Sequence, residues 1–167
     1  TLQLGVGVAT YVEVTGGGGS AEFGRVEVHT DGSATMYCGT QSHGQGHQTA
    51  YAMLVSARTG IPVDRITLVD GDTDLVPQGG GTGGSRSLQT GGSAIHEATG
   101  LMIERARSIA AHVLEADEAD IVVDVTTGAV GVVGVPATAL TWGELSAAAE
   151  SGDDGPLSGD TVYDTDG

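Results

Sequence analysis

Lysine is missing from this chain of 167 residues, and all six basic residues are arginine. Schiff-base chemistry and a P-loop lysine are therefore excluded. Acidic residues number 22, which leaves a formal net charge of −16. Such a chain repels polyanions, so neither nucleic acid nor an anionic membrane surface is expected as a partner. Cysteine is almost absent: Cys38 stands alone, which rules out an internal disulfide and any all-cysteine zinc or iron–sulfur site, and a reducing, cytoplasmic compartment is the natural expectation. Aromatic residues make up 4% of the chain against 39% apolar residues, so the core must come mainly from Val, Ala, Leu and Ile. No apolar run approaches the ~20 residues needed to cross a bilayer, and no charged-then-apolar leader is seen, so no membrane span is expected. The start at Thr1 and the acidic end read as those of an excised piece.

Glycine is plentiful, with 29 residues, several of them clustered. The length suits one compact unit, since domains commonly run to ~100–200 residues. Gly5 to Val14 alternates through Val8, Thr10, Val12 and Val14 and reads as a strand, which the run Gly16 to Ser20 then breaks. Arg25 to Thr30 and Ala34 to Cys38 alternate with period two and meet at Asp31-Gly32. Both turn residues tolerate the positive φ of a tight turn, so a hairpin is expected. Tyr51, Leu54, Val55 and Arg58 lie at helical spacing within Gln48 to Thr59, which stops at Gly60-Ile61-Pro62. Ile66 to Asp70 reads as the next strand. A long helix with one buried stripe is expected over Ser93 to Leu114, from Ile95, Ala98, Met102, Ala106, Ile109 and Val113.

Ile121 to Val125 and Ala129 to Val133, joined by Thr126-Thr127-Gly128, form a second hairpin. Thr141 and Glu144 fit a capping box, in which the threonine accepts from the N3 amide and the glutamate reaches back to the cap amide, so a short helix should begin there. Ser151 to Gly167 is acidic and glycine-rich and reads as a linker or poorly packed tail. The fold class expected is α+β, with a mixed, mainly antiparallel sheet and two to three packed helices in residues 1–150, and a tail over 151–167.

Two glycine-rich segments lie at expected helix starts, where free amides and the positive dipole end can hold a phosphate or an electron-rich ring edge. The first is Gln41-Ser42-His43-Gly44-Gln45-Gly46-His47-Gln48-Thr49. Its small residues admit close approach to the backbone, and Gln45 can both donate and accept along a heterocycle edge. The second runs from Gln78 to Gly92 and combines bare backbone with Thr82, Ser85 and Ser87 hydroxyls and with Arg86. It lacks Walker and Rossmann spacing. On composition alone the first reads as a structural loop before a ligand site, and the second equally as a flexible linker.

The other motifs have plainer readings. His43 and His47 are four apart, but Gly44 and Gly46 weaken the helix a zinc motif needs, and Gln45 is no base. Asp70, Asp72 and Asp74 resemble the start of a calcium loop, although Leu75 stands at its glycine position and Gly81 at its bidentate glutamate. A non-enzymatic acidic calcium-binding module is the competing function on this evidence. Cys38, on an alternating strand with no neighbouring base, reads as a buried inert thiol. Asp31 is explained by its turn and Trp142 by packing. No convincing metal constellation is present.

The ordered set Ser42-His43-Gly44-Gln45-Gly46-His47, Gly60-Ile61-Pro62, Gly71-Asp72-Thr73-Asp74 with Val76-Pro77, and Gly83-Gly84-Ser85-Arg86-Ser87 resembles a cofactor-binding region of molybdenum hydroxylase large subunits. That family includes aerobic carbon monoxide dehydrogenase, xanthine dehydrogenase and aldehyde oxidase. The resemblance runs from about Gly5 to Ala149. It implies a bound molybdopterin with molybdenum, in the cytosine dinucleotide form of bacterial members. By that resemblance Gly44, Gln45, Gly46 and His47 face the pterin and its phosphates, and Gly84, Ser85 and Ser87 pass beneath the dithiolene and pterin, with the backbone near Gly83 and Gly84 close to molybdenum. Arg86 serves as a phosphate or structural partner. The parent would be an oxidoreductase hydroxylating an aldehyde, an N-heterocycle or carbon monoxide with water as oxygen source. Its partners would be the rest of the large subunit, an iron–sulfur small subunit and an FAD medium subunit. The family's catalytic glutamate motif has no match here, so no catalytic residue is expected in this chain.

Overall fold

The computed structural model describes residues 2–16, 21–152 and 155–165. The first hairpin forms as expected, from β1 (Glu22–Val28) and β2 (Ala34–Cys38), with Val26 opposite Met36. Helix α1 (His47–Thr59) follows, then β3 (Ile66–Val69), which returns parallel to β2 with Met36 opposite Leu68. A π-helical turn, Ser87–Gly91, leads into α2 (Gly92–Leu114). Strands β4 (Ile121–Asp124), β5 (Ala129–Val132) and β6 (Leu140–Thr141) make a separate antiparallel sheet. Helix α3 (Trp142–Ser151) begins at the Thr141–Glu144 capping box, and β7 (Ser158–Tyr163) closes the order. The larger sheet runs β3-β2-β1-β7, antiparallel except for the β2/β3 pair. The fold is therefore α+β with a mixed, mainly antiparallel sheet and three helices among the described residues.

Helix α2 is the central beam. Its buried face, including Ala94, Ile95, Ala98, Met102, Ala106 and Ala110, packs on β1, β7, β5, α1 and α3. The scarcity of aromatic residues is matched by close backbone approach. A Cβ on Gly24 of β1 would lie 2.7 Å from the Ala94 carbonyl oxygen, and one on Gly159 of β7 would lie 2.5 Å from that of Ala98. Small residues on both sides bring helix and sheet together, so methyl groups and short branched chains fill the core. Trp142 is the exception in size. It is buried, and its Nε1 donates to the Thr59 carbonyl at 2.8 Å, tying the start of α3 to the end of α1.

The structure departs from expectation at both ends. Residues 5–14 form no strand, and Val6, Val8, Val12 and Val14 are exposed. Alternation supplies the side chains of a strand, but a strand also needs a neighbouring edge to bond, and no described edge takes this segment. The break expected at Gly16 to Ser20 falls at residues 17–20, outside the described residues. Gly16 itself donates its amide to the Ser85 carbonyl at 3.3 Å.

At the other end the expected poorly packed tail contains β7, which pairs with β1 from Glu22–Tyr163 to Glu27–Ser158. Acidic composition concealed the strand because only one of its faces meets the core. Leu157, just before it, is fully buried, and its carbonyl accepts the Val28 amide at 2.9 Å. Leu157→Ala should therefore destabilise the fold by about 2–5 kcal/mol, the range for a buried leucine. Urea unfolding of the chain measures it, and a loss below about 0.5 kcal/mol would mean that the segment is a tail after all.

Candidate cofactor-binding site

The parallel β2–α1–β3 crossover decides where the two glycine loops lie. One loop leaves the C-terminal end of β2 and the other the C-terminal end of β3, and these strands are parallel neighbours. Both loops therefore emerge at the same end of the sheet, the position where ligands collect in parallel crossovers. They touch at their bases: a Cβ on Gly39 would overlap Gly79 and lie 2.7 Å from the Gln78 carbonyl oxygen. Farther out, Thr82 donates its hydroxyl to the Gln41 carbonyl at 2.5 Å, and Gln45 donates to the same carbonyl at 3.3 Å. The loops wall an open cleft of ≈ 380 Å³ lined by Gln45, His47, Tyr51, Thr82, Gly83, Ser85 and Ser87, with Ala50 and Leu88 below.

The first loop ends at Gly46, whose φ of 83° is left-handed and which caps α1 without a side-chain hydrogen bond. The amides of the first turn have no partner within the helix by the geometry of a helix start. A Cβ on Gly44, Gly46, Gly81 or Gly83 would meet nothing within 4 Å, so these backbone faces stand open. His47 is buried: its Nδ1 lies 3.3 Å from the Thr40 carbonyl, its ring stacks on Tyr51 at 5.0 Å, and its Nε2 has no hydrogen-bond partner. A buried unpaired ring nitrogen costs free energy unless a ligand meets it. Ser85, at φ 50°, holds a left-handed conformation that a non-glycine residue rarely adopts.

Beneath the cleft runs a buried chain of hydroxyls. Cys38 Sγ lies 3.2 Å from Thr40 Oγ1, which lies 2.7 Å from the Tyr51 hydroxyl, and that hydroxyl donates to the Ser87 carbonyl at 2.9 Å. Burial pushes both the Cys38 thiol and the Tyr51 phenol above their ordinary values. The inert thiol expected from the sequence agrees with this setting. The tyrosine is a residue that sequence reasoning missed as part of the site. Its helical spacing marked it as core, and only the fold shows its hydroxyl bonded to the second loop.

The arginine of the second loop turns inward. Arg86 donates to the Gly81 carbonyl at 2.8 Å and lies 3.5 Å from a Glu22 carboxylate oxygen, with both side chains buried. Its guanidinium packs under Gly80 and does not line the cleft, so its expected phosphate role gives way to the structural one. Glu22, unremarked in the sequence, also accepts the amides of Phe23 at 3.2 Å and Gly80 at 3.4 Å. Desolvation, outweighing these amides and the Arg86 charge, holds its carboxyl above the ordinary value.

The remaining motifs are taken up locally. Asp70 accepts the Ser42 amide at 2.8 Å and Asp72 the Asp74 amide at 2.9 Å. Among the described residues no group of three His, Cys, Asp or Glu side chains is placed to hold a metal ion, and nothing supports the calcium reading. A larger concavity of ≈ 560 Å³ lies at the opposite end of β2, around Asp31, Arg65 and Trp142. There Arg65 donates to the Asp31 backbone at 2.6 Å and pairs with its carboxylate, so turn contacts account for the charges. No helix among the described residues is long and apolar enough to cross a membrane.

Comparison with known proteins gives this geometry its context. The molybdopterin cofactor-binding domain family matches residues 1–167. The carbon monoxide dehydrogenase large chain of Afipia carboxidovorans is 38% identical over 132 residues, covering 73% of this chain and 16% of that protein. Subunit gamma of the 6-hydroxypseudooxynicotine dehydrogenase complex of Paenarthrobacter nicotinovorans is 35% identical over 167 residues, 96% of this chain and 20% of its own length. The crystal structure of a Cu,Mo-CO dehydrogenase in its carbon monoxide reduced state superposes with a TM-score of 0.77 at 37% identity, over 86% of this chain and 18% of that one. The chain belongs to the molybdopterin cofactor-binding domain family of molybdenum hydroxylase large subunits. It spans no more than a fifth of the length of these relatives.

Glu22 also sets a pH dependence. Between the ordinary carboxylate value of 4.5 and its raised native value, the folded chain holds a proton that the unfolded chain has lost. Stability therefore falls as pH rises through that window and levels off above it. Glu22→Gln should flatten this slope. Urea midpoints taken from pH 4 to pH 7 read it, and parallel profiles for the two proteins would contradict the assignment.

Proposed function

We propose that this chain forms one wall of the cofactor site in a molybdenum-dependent oxidoreductase, with the cofactor in its cytosine dinucleotide form. The observation that carries this reading is the meeting of the two glycine loops at one cleft, which buried His47, its Nε2 unpartnered, helps to line. Gly44, Gln45, Gly46 and His47 would face the pterin and its phosphates from one side. Gly84, Ser85 and Ser87 would pass beneath the pterin and dithiolene from the other, with the backbone near Gly83 and Gly84 close to the metal. The residues fit such a group: open glycine faces accept a flat ring at contact distance, Gln45 and the serines offer donors and acceptors, and the α1 amides offer donors for phosphate. The cleft lining contains no Lys or Arg, so anionic parts of the ligand rest on backbone dipoles and His47.

When bound, the cofactor supplies a metal centre that accepts electrons from substrate. This chain contributes binding, orientation and shielding from water. The parent enzyme on this reading hydroxylates an aldehyde, an N-heterocycle or carbon monoxide with water as oxygen source, its base lying outside this chain. Electrons leave through an iron–sulfur small subunit and an FAD medium subunit in the cytoplasm.

Gly83→Val isolates the cleft from the fold, because a Cβ at Gly83 enters open space and Gly83 does not have a positive φ. The intact large subunit, expressed in a host that makes molybdenum cofactor, should carry molybdenum and pterin. The variant should fold normally and lose about tenfold or more in occupancy, equivalent to about 1.4 kcal/mol of binding. Metal analysis and the fluorescence of oxidised pterin measure both. A wild-type subunit without molybdenum and pterin would end this reading.

A further inference from the structure

We propose that Glu22 is a positioning residue: its buried carboxylate, paired with Arg86 and accepting the Gly80 amide, fixes the second glycine loop against the first and so keeps the cofactor-facing wall in register. The part of this inference that concerns the cofactor rests on the reading above.

Glu22 opens β1, and its carboxylate reaches the point where the two loops cross. One oxygen accepts the Phe23 amide and lies against Gly39, at the base of the first loop. The other accepts the Gly80 amide and faces Arg86 Nη2, both in the second loop. Arg86 in turn donates to the Gly81 carbonyl at 2.8 Å and, through its own carbonyl, accepts the Thr90 amide at 2.7 Å. A single side chain thus ties the strand to the first loop, to the glycines that open the second loop, and to the turn that enters α2.

Glycine backbone has no side chain with which to hold itself, and an ordered glycine loop must be fixed by something outside it. At Gly80 the fixing group is Glu22, and Gly79 beside it packs on Gly39. An apolar residue of the same size would fill the space but leave the Gly80 amide without an acceptor and the buried guanidinium without its counter-charge, with only the Gly81 carbonyl to accept from it. The pair is not placed there for bulk stability. Taking two charges out of water costs free energy that their attraction need not repay, and buried ion pairs of this kind are best attested as devices that select one register. The register selected here sets Thr82, Gly83, Ser85 and Ser87 opposite Gln45 and His47.

The test uses the full-length large subunit, with Glu22→Gln, Arg86→Met and the double variant. Hydrogen exchange is read by mass spectrometry in peptides covering 79–87 and, as an internal reference, 95–106 of α2. Each single variant should speed exchange in 79–87 about tenfold and leave 95–106 unchanged. The double variant should be less than additive, because the Glu22–Arg86 pair is removed in all three. Loss of pterin from the holoprotein, followed by its fluorescence after oxidation, should accelerate in parallel. Should Glu22→Gln fail to accumulate, Glu22→Asp keeps the charge on a shorter stem and should show a smaller rise confined to the same peptide. Exchange unchanged in 79–87, raised equally in 95–106, or additive in the double variant would overturn the proposal. If the wild-type subunit contains no pterin, the cofactor reading fails by itself, and the exchange measurements still decide the role of Glu22.

Discussion

The parallel pairing of β2 with β3 is the constraint on which the site depends. An antiparallel return after α1 would have sent the second glycine loop to the far end of the sheet. With β3 parallel to β2, the chain leaves both strands at one end, and two segments some forty positions apart become the two walls of one cleft. The crossover helix also contributes its N-terminus there. Open amides, glycine faces and Tyr51 consequently reach the cleft from one short element.

This economy depends on glycine being used in two opposite ways. At the bases of the loops, Gly39 and Gly79 are packed so tightly against each other that no side chain fits. At the rims, Gly44, Gly46, Gly81 and Gly83 face open space. The first use fixes the loops to one another; the second leaves bare backbone for a ligand. The buried groups beneath, Glu22 with Arg86 and Tyr51 with Thr40 and the Ser87 carbonyl, hold this arrangement from the protein side. The unpartnered Nε2 of His47 is the one place where described residues of the wall leave a buried side-chain atom for something else to meet.

The same reasoning shows how much of the fold was legible in advance. Asp31-Gly32 announced the first hairpin, although only Gly32 takes a positive φ there, and Thr141 with Glu144 announced α3 because the capping box is a local exchange of hydrogen bonds. The stripe through Ala98, Met102 and Ala106 announced the long helix. Two strand assignments failed for the same physical reason. Residues 5–14 alternate but have no described partner edge, whereas Ser158–Tyr163 hardly alternates in hydrophobicity but finds the open edge of β1. Pairing belongs to the sheet, and a segment's own pattern cannot reveal it.

By itself, then, the sequence determined the chemistry on offer: glycine-rich loops, an amide side chain, hydroxyls, a histidine, no lysine and a single cysteine, in an order that marks the molybdopterin-binding family. These are local properties, written in residue types and spacing. Tertiary structure alone decided which of those groups face the cleft and which hold it up. Arg86 could have been a phosphate or a structural partner, and the fold pairs it with Glu22, 64 positions away. Tyr51 looked like an ordinary core residue and Glu22 drew no notice until the fold set them under the loops. The reason is that a side chain's role follows from what lies within hydrogen-bond distance of it, and for a buried group that neighbour comes from elsewhere in the chain.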